Sequence, residues 1–313
     1  MRARLGAPDL ARWARLGEVP GAPSAGPAGT LTVTWLGVST VLISDRSSSL
    51  MTDGFFSRPS LLRTGLLPLR PDVGRIDAAL RRAGVERLDA VVPVHTHYDH
   101  ALDSATVALR TGAHLYGGAS AAHVARGHLL PPGRVHELAD GASFEVGTFE
   151  VTLVAGSHCP PDRYPGEVTS PVPRVARVSR YRCGDAWSVL VHHRPSGRSQ
   201  LVQGSAGFVP GALEGHTAEV VHLGVGQLGL CDDAYVARYW DETVGRVGAR
   251  RVVLVHHDNF FRPLSAPLKA LPYAVDDLDA TLARLLPLAE RDGVRLHLPE
   301  LWRRTDPWVD LPA

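Results

Sequence analysis

Lysine is almost absent from this chain: Lys269 is the only one in 313 residues, so nearly all of the positive charge is arginine, and the formal net charge is only +1. No broad basic field results, which disfavours nucleic acid as a partner. Cysteine is scarce as well. Cys159, Cys183 and Cys231 are too few, and odd in number, for a disulfide framework, so a reducing, cytoplasmic setting is the simpler expectation. The first thirty residues carry Arg2, Arg4, Asp9, Arg12 and Arg15 and lack the apolar core of a secretory signal. Nowhere does a run approach the ~20 apolar residues that cross a bilayer. There is no solenoid-length repeat and no charge block. What is left, 44% hydrophobic and 21% charged, suits a globular protein with one large core.

Against that plain background, His95-Thr96-His97-Tyr98-Asp99-His100 places four metal-capable side chains in six positions, directly after the apolar run Ala90 to Val94. Such a run reads as a buried strand, and the cluster begins where the strand ends. A lone His-x-His is commonly a solvated or backbone-bonded pair, but four ligands in six residues point to metal. Neutral imidazole and carboxylate suit zinc and its first-row neighbours, whereas calcium and magnesium take oxygen almost exclusively. Zinc is therefore the expected ion, with iron and manganese as the other candidates.

Three further segments repeat the pattern of an apolar run that ends in a ligand type. Leu50-Met51-Thr52 leads to Asp53-Gly54, Phe149 to Val154 leads to Gly156-Ser157-His158, and Arg251 to Val255 leads to His256-His257-Asp258-Asn259-Phe260. The order Asp53, His95/His97/Asp99/His100, His158, His256 resembles the metallo-β-lactamase superfamily of metal-dependent hydrolases. The closing segment is similar to the His-Trp-Asp-Asp-Phe end of its lactonase and phospholipase-D-like branches. The resemblance implies a first metal on His95, His97 and His158 and a second on Asp99, His100 and His256, with Asp53 orienting a ligand without touching metal. Many members carry a bridging aspartate after a central strand. Here Gln203-Gly204-Ser205-Ala206-Gly207 puts Ser205 there, a poor ligand, so the expectation is one tight ion and one weaker one.

In this reading a bound ion lowers the pKa of water from about 15.7 to about 7, and the resulting hydroxide is the nucleophile. Asp99 holds that water, and the proton for the leaving group comes from Asp99, from metal-bound water or from His257, with Tyr98 as a further candidate. The expected substrate is a small molecule with an ester-like bond, either a lactone or other carboxylic ester, or a phosphodiester. An apolar insertion, Phe55 to Asp72, argues for the first, and arginines in a Pro-rich segment at about 159–182, expected to be a lid, argue for the second. Two other readings stay open: redox or thioester chemistry at an iron centre, and a non-catalytic metal-holding scaffold suggested by Ser205. Cys159, next to His158, is expected to pack rather than ligate.

Strand and helix signals fall into two rounds. Strands are expected near 31–36, 39–44, 49–52 and 89–94 with helices near 75–83 and 103–111. A second round has strands near 149–154, 187–193, 199–203, 219–223 and 251–255 with helices near 233–247 and 276–292. This α/β pattern suits a four-layer αββα sandwich in a single domain, residues 31–313. Residues 1–30 form an N-terminal extension in which Leu10, Trp13, Ala14 and Leu16 give a short helix an apolar face, followed by a Pro/Gly connector at 20–27. The sequence also leaves a homodimer open.

Overall fold

Apolar strands of four to seven residues dominate the two halves of the chain, and each half builds its own sheet, the second with seven strands and the first with six that a C-terminal strand completes to seven. The structure is a computed structural model, and it describes residues 5–17 and 30–312; the Pro/Gly connector at 20–27 lies outside them. The first sheet contains β1 (Thr32–Trp35), β2 (Val41–Ser44), β3 (Ser49–Thr52), β4 (Ala90–Val92), β5 (His114–Gly117) and β6 (Val135–Glu137) in chain order. The second contains β7 (Ser143–Val146), β8 (Phe149–Ala155), β9 (Trp187–His193), β10 (Arg198–Gln203), β11 (Val220–Gly224), β12 (Arg251–Val255) and β13 (Arg295–His297). A last short strand, β14 (Arg304–Thr305), returns to pair with β1 at the edge of the first sheet.

Each sheet begins antiparallel and becomes parallel. β1 to β3 pair antiparallel and β3 to β6 parallel. Likewise β7 to β10 are antiparallel and β10 to β13 parallel. Parallel strands need crossovers, which are supplied mainly by helices. The first half provides α1 (Leu61–Leu66), α2 (Val73–Ala83), α3 (Tyr98–Ala101), α4 (Ser104–Thr111) and α5 (Ala119–Gly127); the second provides α6 (Asp233–Trp240) and α7 (Leu278–Asp292). Local chemistry sets the ends. Asp72 and Asp277 accept from the backbone N–H three residues on, at Arg75 and Ala280, and Gly84 and Gly293 close the same helices at φ 69° and 66°.

Three apolar cores separate four layers. Val33, Ile43, Val92, Val151, Val189 and Val253 meet between the sheets. On the outer face of the first sheet, Met51, Val91 and Leu115 pack against Ile76, Leu80, Ala105 and Ala108 of α2 and α4. On the outer face of the second, Leu201, Leu223, Val252 and Leu254 pack against Val236, Trp240, Leu282 and Leu285 of α6 and α7. The αββα sandwich expected from the element pattern is the observed architecture, with Val252 and Val253 facing opposite cores as the two-residue strand period requires.

Some elements differ from expectation. The helix read at 233–247 is α-helical only to Trp240 and continues as a π-helical stretch over Asp241–Gly245, where the Thr243 hydroxyl donates to the Tyr239 carbonyl at 2.5 Å. The extension's helix is a 3-10 helix over Leu10–Leu16, which docks on α7: Trp13 Nε1 donates to Asp279 Oδ1 at 2.8 Å and Leu16 enters the outer core. Among the described residues no helix is long and apolar enough to cross a membrane.

Candidate metal centre

The candidate ligands all leave the C-terminal ends of strands on one edge of the sandwich, where open α/β sheets place their ligands. β3 delivers Asp53, β4 delivers His95 to His100, β8 delivers His158, β10 delivers Ser205 and β12 delivers His256. Two backbone sites are held in the left-handed region to make these exits, Asp53 at φ 54° and His256 at φ 60°. The His256 N–H donates to the Val38 carbonyl at 2.8 Å, and Asp258 Oδ1 accepts from the Val38 N–H at 2.8 Å, so the loop after β12 is clipped to the turn between β1 and β2.

Two groups of three ligand-capable residues result, each with its ligand atoms within 4.8 Å of one another: His95, His97 and His158, and Asp99, His100 and His256. His95 Nε2 and His97 Nδ1 face each other at 3.2 Å. The His158 ring centroid is 4.6 Å from that of His97 and 5.1 Å from that of His95, and the His95 and His100 rings are 3.9 Å apart, which joins the two groups. Asp99 Oδ2 lies 3.6 Å from His100 Nε2 and 3.4 Å from His256 Nε2.

Several imidazoles are turned by bonds at their other nitrogen. Asp53 accepts from the Val94 N–H at 2.8 Å through one oxygen and meets His100 Nδ1 at 2.8 Å through the other, which aims His100 Nε2 at Asp99. His158 Nδ1 meets the Cys159 carbonyl at 2.6 Å. His97 Nε2 is held at 3.2 Å from Asp162 Oδ1 and 3.3 Å from the Tyr164 carbonyl.

Electrostatics favours a neutral ring at His95 and at His158, whereas at His256 burial is outweighed by the Asp99 carboxylate, which raises the imidazole above its ordinary value. Burial and then the neighbouring imidazoles push His95 well below the usual histidine range, and burial followed by His97 lowers His158 to about 4. Burial pushes the Asp99 carboxyl up, but the His100 and His256 imidazoles outweigh it and hold the group well below its ordinary value. The donor set suits a divalent first-row ion: clustered imidazoles and one carboxylate, with His95 Nδ1 and His256 Nδ1 buried and lacking a hydrogen-bond partner. A third group, His97, Asp162 and Cys183, has the same compactness. Burial there pushes the Cys183 thiol up to about 12, so it stays a thiol, and Asp162 is engaged on His97.

The ligands open on a cavity of about 270 Å³. His97, Asp99, His158, His256 and Ser205 line one side of it. Leu61, Tyr98, Val178, Phe260, Phe261, Leu271 and Val275 supply apolar wall, and Thr64, Arg163, Tyr164 and Gln227 are its polar remainder. Ser205 Oγ accepts from the Cys159 N–H at 3.1 Å. Cys159 itself points into the outer core, its sulfur 3.8 Å from that of Cys231.

The two-sheet architecture can be compared with known proteins. The model of the beta-lactamase superfamily domain matches residues 69–182. A metallo hydrolase from the hyperthermophilic archaeon Ignicoccus hospitalis superposes with a TM-score of 0.51 at 13% identity, over 88% of this chain and 95% of that one. A possible metal-dependent hydrolase from Veillonella parvula gives 0.53 at 15% identity, over 89% and 100%. This is the metallo-β-lactamase fold. The diiron β-hydroxylase CmlA from Streptomyces venezuelae also has this fold over part of its length, with a TM-score of 0.52 at 14% identity across 90% of this chain and 54% of that one. No curated protein matches the sequence.

Set on the metallo-β-lactamase fold, two expectations change. His257 does not reach the cavity: it stacks on Trp35 with ring centroids 4.6 Å apart, its Nδ1 is 3.1 Å from the Leu254 carbonyl, and burial lowers it to about 4. It is a packed neutral ring, and the proton-donor role falls away. The segment expected to be a lid is a strap. Val168, Val172, Ala176 and Tyr181 are buried, the strap pairs with Leu69 through Ala176, and only Arg163, Tyr164 and Val178 of it reach the cavity. Two groups escaped the sequence reading. Asp162 carried no pattern that tied it to His97. Arg58, fully buried and paired with Asp258, braces the loop after β12, and an arginine in an apolar insertion gave no sign of that partner.

Proposed function

We propose that the protein is a metal-dependent hydrolase of small molecules that holds two divalent ions, zinc by default, on His95, His97 and His158 and on Asp99, His100 and His256. The observation that supports this most is the convergence of the six side chains from three separate strand ends beside one cavity. Ions bound there supply an acidified water and a Lewis acid for the charge that develops on the scissile group. Asp99, a carboxylate at neutral pH and the only one on the cavity wall, accepts and orients the proton of that water. Asp53 fixes His100, and Asp162 fixes His97. Ser205 brings no charge, so the second set has one anionic ligand and holds its ion more weakly.

The walls favour a carboxylic ester or lactone over a phosphodiester, because apolar side chains dominate and a single arginine, Arg163, faces the cavity. An acyl or aromatic part fits against Phe260 and Phe261, with a carboxylate or carbonyl near Arg163. A second reading, redox chemistry at an iron centre, draws support from the fold shared with the Streptomyces venezuelae diiron enzyme. Metal content separates the two. Plasma mass spectrometry on protein purified without added metal, with His100→Ala beside it, is expected to give near two zinc per chain, falling toward one in the variant. One zinc unchanged in the variant removes the second ligand set; iron supports the second reading; no metal favours a scaffold.

A further inference from the structure

Nine large apolar side chains are exposed among the described residues, and five of them, Leu61, Leu62, Leu66, Leu67 and Val175, gather in one place. Four lie on or just after α1, and Val175 lies in the strap that the Leu69–Ala176 bridge holds against the same segment. At 100° per residue, Leu61, Gly65, Leu62 and Leu66 fall on one arc of about 140°, while Thr64, on the opposite side, is buried. The four leucines are between 53% and 72% exposed and belong to none of the apolar cores. A patch of this kind, exposed and outside every apolar core, usually marks an interaction surface.

Charge says what covers it. Beside the leucines a cleft of about 640 Å³ is bordered by Arg63, Arg70, Arg75 and Arg174. The only carboxylate on its wall, Asp72, is taken by the Arg75 side chain and the N-terminus of α2. Arg63, Arg70 and Arg174 have no carboxylate within ion-pair distance among the described residues. Leucines projecting from a helix with guanidinium groups at their margin match a bilayer surface whose headgroups are anionic: the apolar side chains enter the headgroup boundary and the arginines meet lipid phosphates.

We propose that the α1 face is a docking surface for an anionic phospholipid membrane. Leu61 and Gly65 also line the metal cavity, so docking turns the cavity mouth toward the bilayer. The proposal is independent of the reaction, since binding is read without turnover.

The test is co-sedimentation of the whole protein with vesicles of phosphatidylcholine, with and without phosphatidylglycerol. Two double variants accompany it, Leu62→Asp with Leu66→Asp and Arg63→Glu with Arg174→Glu. Melting curves and metal content matching the parent establish that both remain folded. The parent should pellet with the anionic vesicles and much less with the neutral ones, and each double variant should lose about tenfold or more of that binding. Absence of pelleting with anionic vesicles overturns the proposal, as does equal binding by the variants. A dimer seen by light scattering and abolished by the leucine variant would give the face to a second copy of the chain, and overturn it too.

Discussion

Both oxygens of Asp53 accept, one from the Val94 N–H and the other at His100 Nδ1, and the side chain is buried. Asparagine has one acceptor oxygen, so Asp53→Asn turns an N–H toward either the Val94 amide or the His100 ring. The variant should bind the second ion about 10–100-fold more weakly while its first site stays loaded. Titration with zinc, followed by isothermal calorimetry, reads this directly, and unchanged two-site affinity would show that Asp53 does not orient His100. A larger structural effect belongs to Arg58. Its guanidinium is fully buried against Asp258, so Arg58→Ala leaves a bare carboxylate beneath the His256 loop and should cost roughly 3–5 kcal/mol in urea denaturation. A loss below about 1 kcal/mol would mean that the pair is replaced by water. Residues of the two kinds were not equally legible. Asp53 and the six candidate ligands each stand at the end of an apolar run, a pattern visible in one dimension. Asp162 and Arg58 meet their partners across 65 and 200 positions, and a long-range ion pair leaves no local pattern.

The strap between His158 and β9 has almost no regular structure of its own, and its position comes from what it lies on. Gly127, the last residue of α5, is where it crosses: a Cβ added there would stand 2.0 Å from the Val172 carbonyl oxygen. Gly127→Ala therefore cannot be absorbed by a side-chain rotation, and should lose about 1–3 kcal/mol of stability as the strap lifts. Arg163 and Tyr164 then shift at the cavity, so the Michaelis constant should rise more than turnover falls. A variant as stable as the parent would show that the strap is free to move. The same segment explains what the sequence hid at this scale. β8, β9 and β12 are long apolar runs and fell where expected, whereas β5 and β6 are three or four residues with partly exposed positions, and α1 alternates leucine with arginine and glycine. Proline density suggested a lid; five prolines in a segment packed on its neighbours are equally compatible with it, and the burial of Val168, Val172 and Tyr181 shows that packing.

At the scale of the whole molecule, burial of neutral histidine sets how stability responds to pH. Burial lowers His128, His222, His257 and His297 from 6.5 to about 4. Between those values the unfolded chain binds more protons than the native one, so stability is present above 6.5 and is lost as pH falls toward 4. Burial raises Asp103 and Asp276 to about 6, and these act the other way, contributing stability below 4 that is lost as pH rises through 6. With His95, His136 and His158 also lowered and Asp53 and His256 also raised, seven groups against four leave a net fall on acidification. His222 is the cleanest of them, buried inside β11 with its Nε2 3.0 Å from Gln200 Oε1 and remote in sequence from the ligands. A shift of that size is worth up to about 3 kcal/mol. Metal-free protein should have a urea midpoint clearly lower at pH 5 than at pH 7, and His222→Gln should narrow the gap. Equal midpoints at the two pH values would mean that His222 and its fellows are already charged in the folded state. The pairing of β10 with β11 that buries His222 is parallel and joined by a connection of 16 residues, Gly204 to Glu219, and no periodicity in the sequence announces it. A non-local pairing thus buries His222 and contributes its share of the acid sensitivity, which no local stretch of the sequence could have announced.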